Sequence, residues 1–324
     1  MPSLKEIKGR IASVNSTRKI TSAMKMVASS KLHHAQVAIQ NMLPYEELLE
    51  HILKSFLAAE AEAQTIYDQE RPVKRAALVV FSSNSSLCGG FNANTIKLMT
   101  HAVDEYDKTI GRDNVEIYPI GRKVFEKARK MGLKVQGEYS ALADHPNVQQ
   151  CIEIAMELGK KFAEGEIDKV ELIYHHFKSA GSQVLTRKTY LPIDVESELN
   201  ADHERDLTSV VATKESQEYL KKRGERQEVR GENEEVKPLN DNFIVEPDMD
   251  TVLSQLIPKL AHLALYTALL DSNASEHAAR MVAMQTATDN VDELLRELNL
   301  QYNKSRQQAI TSELLDIVGG SVNN

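Results

Sequence analysis

Rings and chain breakers are scarce in this sequence of 324 residues. Aromatic residues make up 5% of it, and there is no tryptophan. A chain so poor in rings is a weak candidate for stacking on bases or sugars. Fourteen glycines and nine prolines are few for this length, which implies long uninterrupted elements, helices above all. Two cysteines, Cys88 and Cys151, exclude a disulfide framework and a cysteine-built zinc site. The plain reading is a reduced, cytoplasm-facing protein. The opening residues lack an apolar signal core, and the densest apolar run, residues 76–81, is too short to span a bilayer. Work at a membrane would therefore go through partners. What is present, 42% hydrophobic and 27% charged residues with a net charge of -8, suits one large or two ordinary domains with a real core.

The first region, residues 1–57, reads as helix. Residues 10–43 contain neither glycine nor proline. Leu4, Ile7, Ile11 and Val14 fall at coiled-coil spacing. The stripe then meets Arg18 and Thr21 and is expected to shift to Ile20, Met24 and Val27 before resuming at Leu32, Ala35, Ile39 and Met42. Pro44 is expected to kink or interrupt the helix. The first 36 residues carry seven Lys/Arg against one acid, Glu6, in a protein that is acidic overall.

From residue 73 to 195 the period changes. Residues 76–81 read as a buried strand, 82–90 as a polar loop and 92–110 as helix. Residues 115–120 are a second strand, followed by Gly121 and a helix to Met131. Residues 148–163 are helical, 170–177 a third strong strand and 183–191 its hairpin partner. Strands alternating with helices indicate an α/β fold with a mostly parallel sheet, Rossmann-like. A charged insert, 196–242, follows. Residues 213–237 hold seven bases and seven acids, which fits either a solvated helix laced with ion pairs or a mobile excursion.

The last region, 248–320, has no glycine or proline from 259 to 318. A continuous helix there would be roughly 90 Å long and would have to project from any compact domain. Its apolar residues are Leu253, Leu256, Leu260 and Leu263, then Val291, Leu294, Leu298 and Tyr302, then Ile310, Leu314 and Ile317. Gly319 and Gly320 are expected to end it. Residues 289–318 carry six acids and three bases, opposite in sign to the first helix. The two terminal helices are therefore expected to pair as a long antiparallel coiled coil, with the last turns of the longer one extending past its partner.

Little points to chemistry. The 82–90 loop lies where α/β proteins often bind phosphate, but it lacks both GxGxxG and GxxxxGK[ST]. Cys88 reads as a small packed residue. His175 and His176 sit on a strand and face opposite ways; His33 and His34 diverge on a helix. No metal, cofactor or catalytic residue is assigned. The basic residues of the first helix alternate with Ile, Met and Val with no aromatic among them, which favours a solvated face, or a face meeting an acidic protein partner, over nucleic acid.

The two ends are the most distinctive segments. Lys5-Glu6-Ile7, residues 10–21 and residues 23–31 resemble the opening of the gamma subunit family of F-type ATP synthases. Residues 273–284, 287–290 and 302–318 look like that family's closing helix, and Leu87-Cys88-Gly89-Gly90 matches the turn after its first central strand. The resemblance covers nearly the whole chain apart from the insert.

It implies a central-stalk rotor subunit, one copy per complex. Such a subunit couples ion flow through the membrane c ring to ATP synthesis or hydrolysis at the beta subunits of the alpha/beta hexamer, with no catalytic site of its own. The implied partners are the alpha and beta subunits, the epsilon subunit and the c ring, with membrane contact only indirect and no nucleic acid. The implied place is the cytoplasmic face of a bacterial inner membrane. Met24, Lys25, Val27, Arg306, Gln307, Thr311, Leu314 and Ile317 match positions that meet the hexamer. Phe243, Val245 and Glu246 match the segment facing the c ring, although Phe243 and Val245 stand where many members have tyrosine. Asn84-Ser85-Ser86 stands where the family commonly has Asp-Arg-Gly, so no role of that Asp or Arg is carried over. The seam break near residues 18–25 then marks a face given up to a partner, or else a stutter in the supercoil. Two other readings stay open: a free-standing coiled-coil scaffold with a ligand-binding α/β module, and a nucleotide-dependent enzyme using the 82–90 loop.

Overall fold

The computed structural model describes residues 3–57, 67, 69–194, 205, 207, 245, 246 and 248–322. They divide into two compact units, one of Met1–Ser30 with Arg280–Asn324 and one of Lys31–Ala279. Two long helices, α1 (Leu4–Leu57) and α6 (Met249–Val322), contribute to both.

The larger unit is built on a five-stranded sheet. Its strands are β1 (Ala76–Phe81), β2 (Val115–Ile120), β3 (Lys134–Val135), β4 (Lys169–Ser179) and β5 (Ser182–Leu191), in the order β3-β2-β1-β4-β5. The first four are parallel, as the alternation with helices requires, and β5 closes one edge as an antiparallel hairpin partner. Every residue of β1 is buried, so its unbroken apolar run is that of a strand covered on both faces.

Helices α2 (Phe91–Thr109) and α3 (Arg122–Lys130) cover one face. There Met99, Ala102, Val103, Val124 and Ala128 pack on Ala76, Leu78, Val80, Val115 and Ile117. After the short α4 (Ser140–Asp144), α5 (Val148–Ala163) covers the other face, where Tyr118 donates to Glu157 at 3.0 Å. The middle of α6 lies on that same face. Ser275 donates to the His175 carbonyl at 3.2 Å and Asn273 to the Ala143 carbonyl at 2.8 Å. An apolar window in α6 passes a length-and-hydropathy test for a membrane span, but residues 267–278 of this helix are buried in the protein.

Three expectations change. Pro44 does not interrupt α1, which runs through it. Pro44 itself is exposed, while Met42, Leu43, Leu49 and Leu53 are buried, so packing of the inner face outweighs the lost backbone bond. Gly319 and Gly320 do not end α6, which reaches Val322, since glycine weakens a helix by only about 1 kcal/mol and does not break it. Nor does the stripe of α1 shift to Ile20 and Val27. Both are more than half exposed, and burial returns at Ala28 and Leu32 in step with Ile7.

Gly121 is a position that only glycine can fill. It has φ +105°, and a Cβ there would lie 2.0 Å from the Ser82 carbonyl oxygen. That contact draws the β2–α3 turn against the end of β1, and Ser82 completes it by accepting from the Val124 amide at 3.1 Å.

His175 stacks on Phe91 with ring centres 4.3 Å apart and lies 3.4 Å from the Thr95 hydroxyl. Burial pushes its pKa down from 6.5 to about 4, so it is neutral in the folded chain. The unfolded chain therefore binds one proton more between those values. Stability from this site should be complete above pH 6.5 and fall by ~3 kcal/mol as the pH drops to 4. Urea denaturation across that range checks it: His175→Leu should flatten the acid limb.

Candidate functional site

The smaller unit holds most of the residues that the family resemblance singles out. In α1 the buried and half-buried positions Ile7, Ile11, Val14, Thr21, Lys25 and Ala28 fall on a spacing alternately four and three apart, and the exposed Arg18 takes the remaining place in it. In α6 they are Met284, Thr288, Val291, Leu295, Leu298, Tyr302, Ser305 and Ala309, with the same spacing. Such spacing keeps one stripe facing a partner helix along its whole length. The Thr288 hydroxyl donates to that of Thr21 at 2.9 Å, and Arg18 pairs with Asp292. Contacts that run up one helix and down the other define an antiparallel pair. Leu295, not Leu294, takes the inward place; Leu294 is 42% exposed.

The apparent break near residue 18 is thus a polar stretch of an unbroken seam. Arg18, Thr21 and Lys25 occupy seam positions, and the first two meet polar partners on α6. The Arg18 side chain is half exposed, so its ion pair contributes at most about 1 kcal/mol. Opposite net charges of the two helices therefore add little, and the buried apolar positions supply most of the cohesion.

Beside this seam runs the second stripe, Ile20, Met24 and Val27. Val27 is 58% exposed, while Met24 and Lys25 are half-buried. On α6, Arg306 and Gln307 are exposed, and the exposed Thr311 donates to the Gln307 carbonyl of its own helix at 2.9 Å. Among the described side chains the inward positions stop at Ala309. Ile310, Leu314 and Leu315 are 49%, 57% and 66% exposed. Ile317 lies within α6, but its side chain is outside the described set. Met26 and Leu300 are exposed as well, and their signal in the sequence is an apolar residue off the four-three spacing.

In the larger unit, Phe243 lies outside the described residues, Val245 is half-buried and Glu246 is exposed. The 82–90 loop is closed by its own groups. The Asn92 side chain accepts from the Ser83 amide at 3.0 Å and donates to the Ser83 hydroxyl at 2.7 Å, and Ser83 donates to the Ser85 carbonyl. Gly89 takes φ +57° and lets the turn enter α2. Asn84 accepts from the Arg122 amide and donates to the Ser140 carbonyl and the Asp144 carboxylate, binding the turn to α3 and α4. Burial raises the Cys151 thiol to about 12, so it is no nucleophile at neutral pH. His175 and His176 do face opposite ways, toward α2 and α6. Among the described residues no group of three metal-ligating side chains comes together.

One cluster was not anticipated. Arg205 holds Asp271 of α6 with two bonds, Nε to Oδ1 at 2.9 Å and Nη2 to Oδ2 at 3.1 Å. It also reaches Glu46 of α1 at 3.4 Å, and His176 of β4 touches Asp271 at 2.7 Å. An acid within the buried run of α6 was the available signal, since a buried carboxylate requires a partner.

A family model described as ATP synthase matches residues 3–322. The chain is 52% identical over 322 residues to the ATP synthase gamma chain of Phocaeicola vulgatus, covering 99% of this chain and all of that one. Identity to the gamma chain of Bacteroides thetaiotaomicron is also 52%, with the same coverage. Among solved structures, the rotor of Euglena gracilis mitochondrial ATP synthase in rotational state 1 aligns with a TM-score of 0.55 at 16% identity. That alignment covers 95% of this chain and 98% of the other, a likeness of fold.

The seam and the open tip of α6 should respond differently to truncation. Leu298→Ala, at a seam position only 6% exposed, should cost about 2–3 kcal/mol in a urea melt of the full chain. Leu315→Ala should stay within about 0.5 kcal/mol of the native value. Equal losses would contradict the division into seam and open tip.

Proposed function

The chain belongs to the ATP synthase gamma-chain family, and on that footing we propose that it is the rotor shaft of the enzyme's central stalk. In this reading it carries rotation between the membrane c ring and the alpha/beta hexamer, so that ion flow drives ATP synthesis, or hydrolysis drives the reverse. The chain supplies no catalytic group, cofactor or metal; ATP is handled at the beta subunits. Its partners are the alpha and beta subunits, the epsilon subunit and the c ring, one copy per complex. It is held peripherally at the cytoplasmic face of the bacterial inner membrane by those partners.

The observation that carries the reading is the mismatch between seam and helix on α6. Among the described side chains the inward stripe stops at Ala309, yet the helix continues to Val322 and presents Ile310, Leu314 and Leu315 to solvent. An apolar helix end left uncovered by its own chain needs a partner to cover it. Burying each such side chain is worth about 1.5–3 kcal/mol. Contacts of this kind have little direction, so an apolar tip can turn inside a sleeve without breaking a fixed set of hydrogen bonds.

Angular information comes from polar neighbours. Arg306, Gln307 and Thr311 lie on the exposed part of α6. Met24, Lys25 and Val27 supply a second patch on α1. Arg306 and Lys25 can approach beta-subunit carboxylates in some orientations and not in others. Contacts with differential strength in different states bias otherwise equal sites, as rotary coupling requires. The segment at Phe243, Val245 and Glu246 is assigned to the c-ring side, with Val245 and Glu246 placed on the larger unit.

Co-expression with alpha and beta subunits, followed by size-exclusion chromatography, tests the assembly: the chain should elute with the hexamer, and separate elution would end the rotor reading. Within an assembled complex, Arg306→Ala combined with Gln307→Ala should lower ATP turnover or coupling severalfold while assembly persists. Unchanged rates would remove both residues from the proposed contact.

A further inference from the structure

The corner of the larger unit where α3 meets β3 has no part in the rotor reading. Residues 122–134 carry six Lys/Arg against one acid, Glu126, in a chain whose net charge is -8. The acids at hand are already engaged. Glu126 pairs with Arg122 and Lys123 of its own helix, and Glu116 of β2 pairs with Lys134 and Lys161. Among the described residues no carboxylate pairs with Lys127, Arg129 or Lys130, and all three are exposed. Lys127 and Lys130 stand three apart on the helix, where like charges repel. The helix dipole favours bases in the last turn of α3. It does not call for an apolar groove beside them.

Such a groove is present. It is open, holds about 400 Å³, and is lined by Phe125 and Arg129 of α3, Val135 of β3, and Gly132, Leu133 and Gly137. The Arg129 guanidinium lies 5.5 Å from the centre of the Phe125 ring, so a cation stands directly beside apolar surface. A Cβ at Gly137 would strike the Tyr139 ring at 2.7 Å, which keeps that end of the groove bare. The backbone here is open too. β3 is the outermost strand on its side of the sheet. The Gln136 amide donates to the Ile117 carbonyl at 2.8 Å. Successive residues of a strand turn their backbone groups to opposite sides, so the amide and carbonyl of Val135 face away from β2. Among the described residues neither has a hydrogen-bond partner. Its short length and Lys134 also guard such an edge against stray pairing.

We propose that the α3–β3 corner is a docking site for an extended acidic segment of a partner protein. An apolar side chain of that segment fills the groove, its backbone pairs with Val135, and its carboxylates meet Lys127, Arg129 and Lys130. Charge complementarity sets the sign of the partner, and the apolar groove selects among acidic chains. A segment alternating acidic and apolar residues suits the site, because alternate side chains of a strand face opposite ways. The inference does not depend on the rotor reading, and its test involves neither nucleotide nor hexamer.

The probe is a fluorescein-labelled peptide of alternating glutamate and valine, titrated with the full chain and read by anisotropy. It should bind saturably and more weakly as salt is raised. With benzoylphenylalanine in place of its central valine, photolysis should leave adducts within residues 122–137, mapped by mass spectrometry. Lys127→Glu with Lys130→Glu alters two exposed side chains, so the fold is kept, and should weaken binding about tenfold or more. A peptide of glutamate and glycine with the same charge should also bind about tenfold more weakly. Equal binding of the two peptides, or adducts scattered over the rest of the chain, would overturn the site, because charge alone would then be acting. Absence of binding would overturn it as well and leave the bases as a guard on the β3 edge. Binding of phosphatidylglycerol vesicles in place of the peptide would overturn it in favour of a lipid surface.

Discussion

Neither end of this chain can satisfy its own apolar stripe. That constraint governs the smaller unit. A helix with inward residues alternately four and three apart has a face too narrow to fold back on itself and too apolar to leave in water, so it requires a second helix with the same spacing. The first and last parts of the sequence supply one such stripe each. The antiparallel contacts Thr21–Thr288 and Arg18–Asp292 show them joined. Because the stripe of α6 stops before the helix does, the pairing also leaves the apolar end that the proposed role uses.

Polar groups serve the two units in different ways. In the seam, Arg18 and Thr21 interrupt the apolar surface and meet polar partners, which costs stability but favours one register over its neighbours. Exposed as it is, the Arg18 pair adds little energy. In the larger unit the Arg205–Asp271 pair is buried, so its two groups cannot be separated without stranding a charge. The seam's pairs are a preference; the buried pair is an obligation. The polar loop after β1 is a third case, where Ser83 and Asn92 use their bonding capacity on one another and shape the turn.

Much of this was legible in the residues. The run Ala76–Phe81 reads as a buried strand and is one, and residues 148–163 read as the helix that α5 forms; the structure adds Asn147, which accepts from the Gln150 amide, as its cap. The long helices and strands of the module lie within two residues of where the periods place them, whereas β3, of two residues, and α4, of five, are too short to show a period. The seam was misread for a physical reason. Following apolar residues from Val14 leads to Ile20, Met24 and Val27, whereas the geometry keeps its spacing through Arg18, Thr21 and Lys25. Spacing, not hydrophobicity, identifies the inward face where the two diverge. Pro44 and the Gly319–Gly320 pair are local breakers by type, yet α1 and α6 run through them. The Arg205 cluster was hidden because its members lie far apart in sequence. A long-range pairing of this kind has no period to betray it, although Asp271 in a buried helical run posed the question. The residues assigned to partner contact were chosen by resemblance; the structure adds that Val27, Arg306, Gln307, Thr311 and Leu314 are exposed.

The mating of the two chain ends can be measured directly by disulfide trapping. Cysteines placed at Thr21 and Thr288, where the hydroxyls now lie 2.9 Å apart, should join readily under mild oxidation. A matched pair at Ile20 and Thr288 should stay largely reduced, since Ile20 is turned outward. The native Cys88 and Cys151 are buried and should not compete. Equal trapping of both pairs, or of neither, would contradict the seam and with it the account of this chain as a paired-helix shaft.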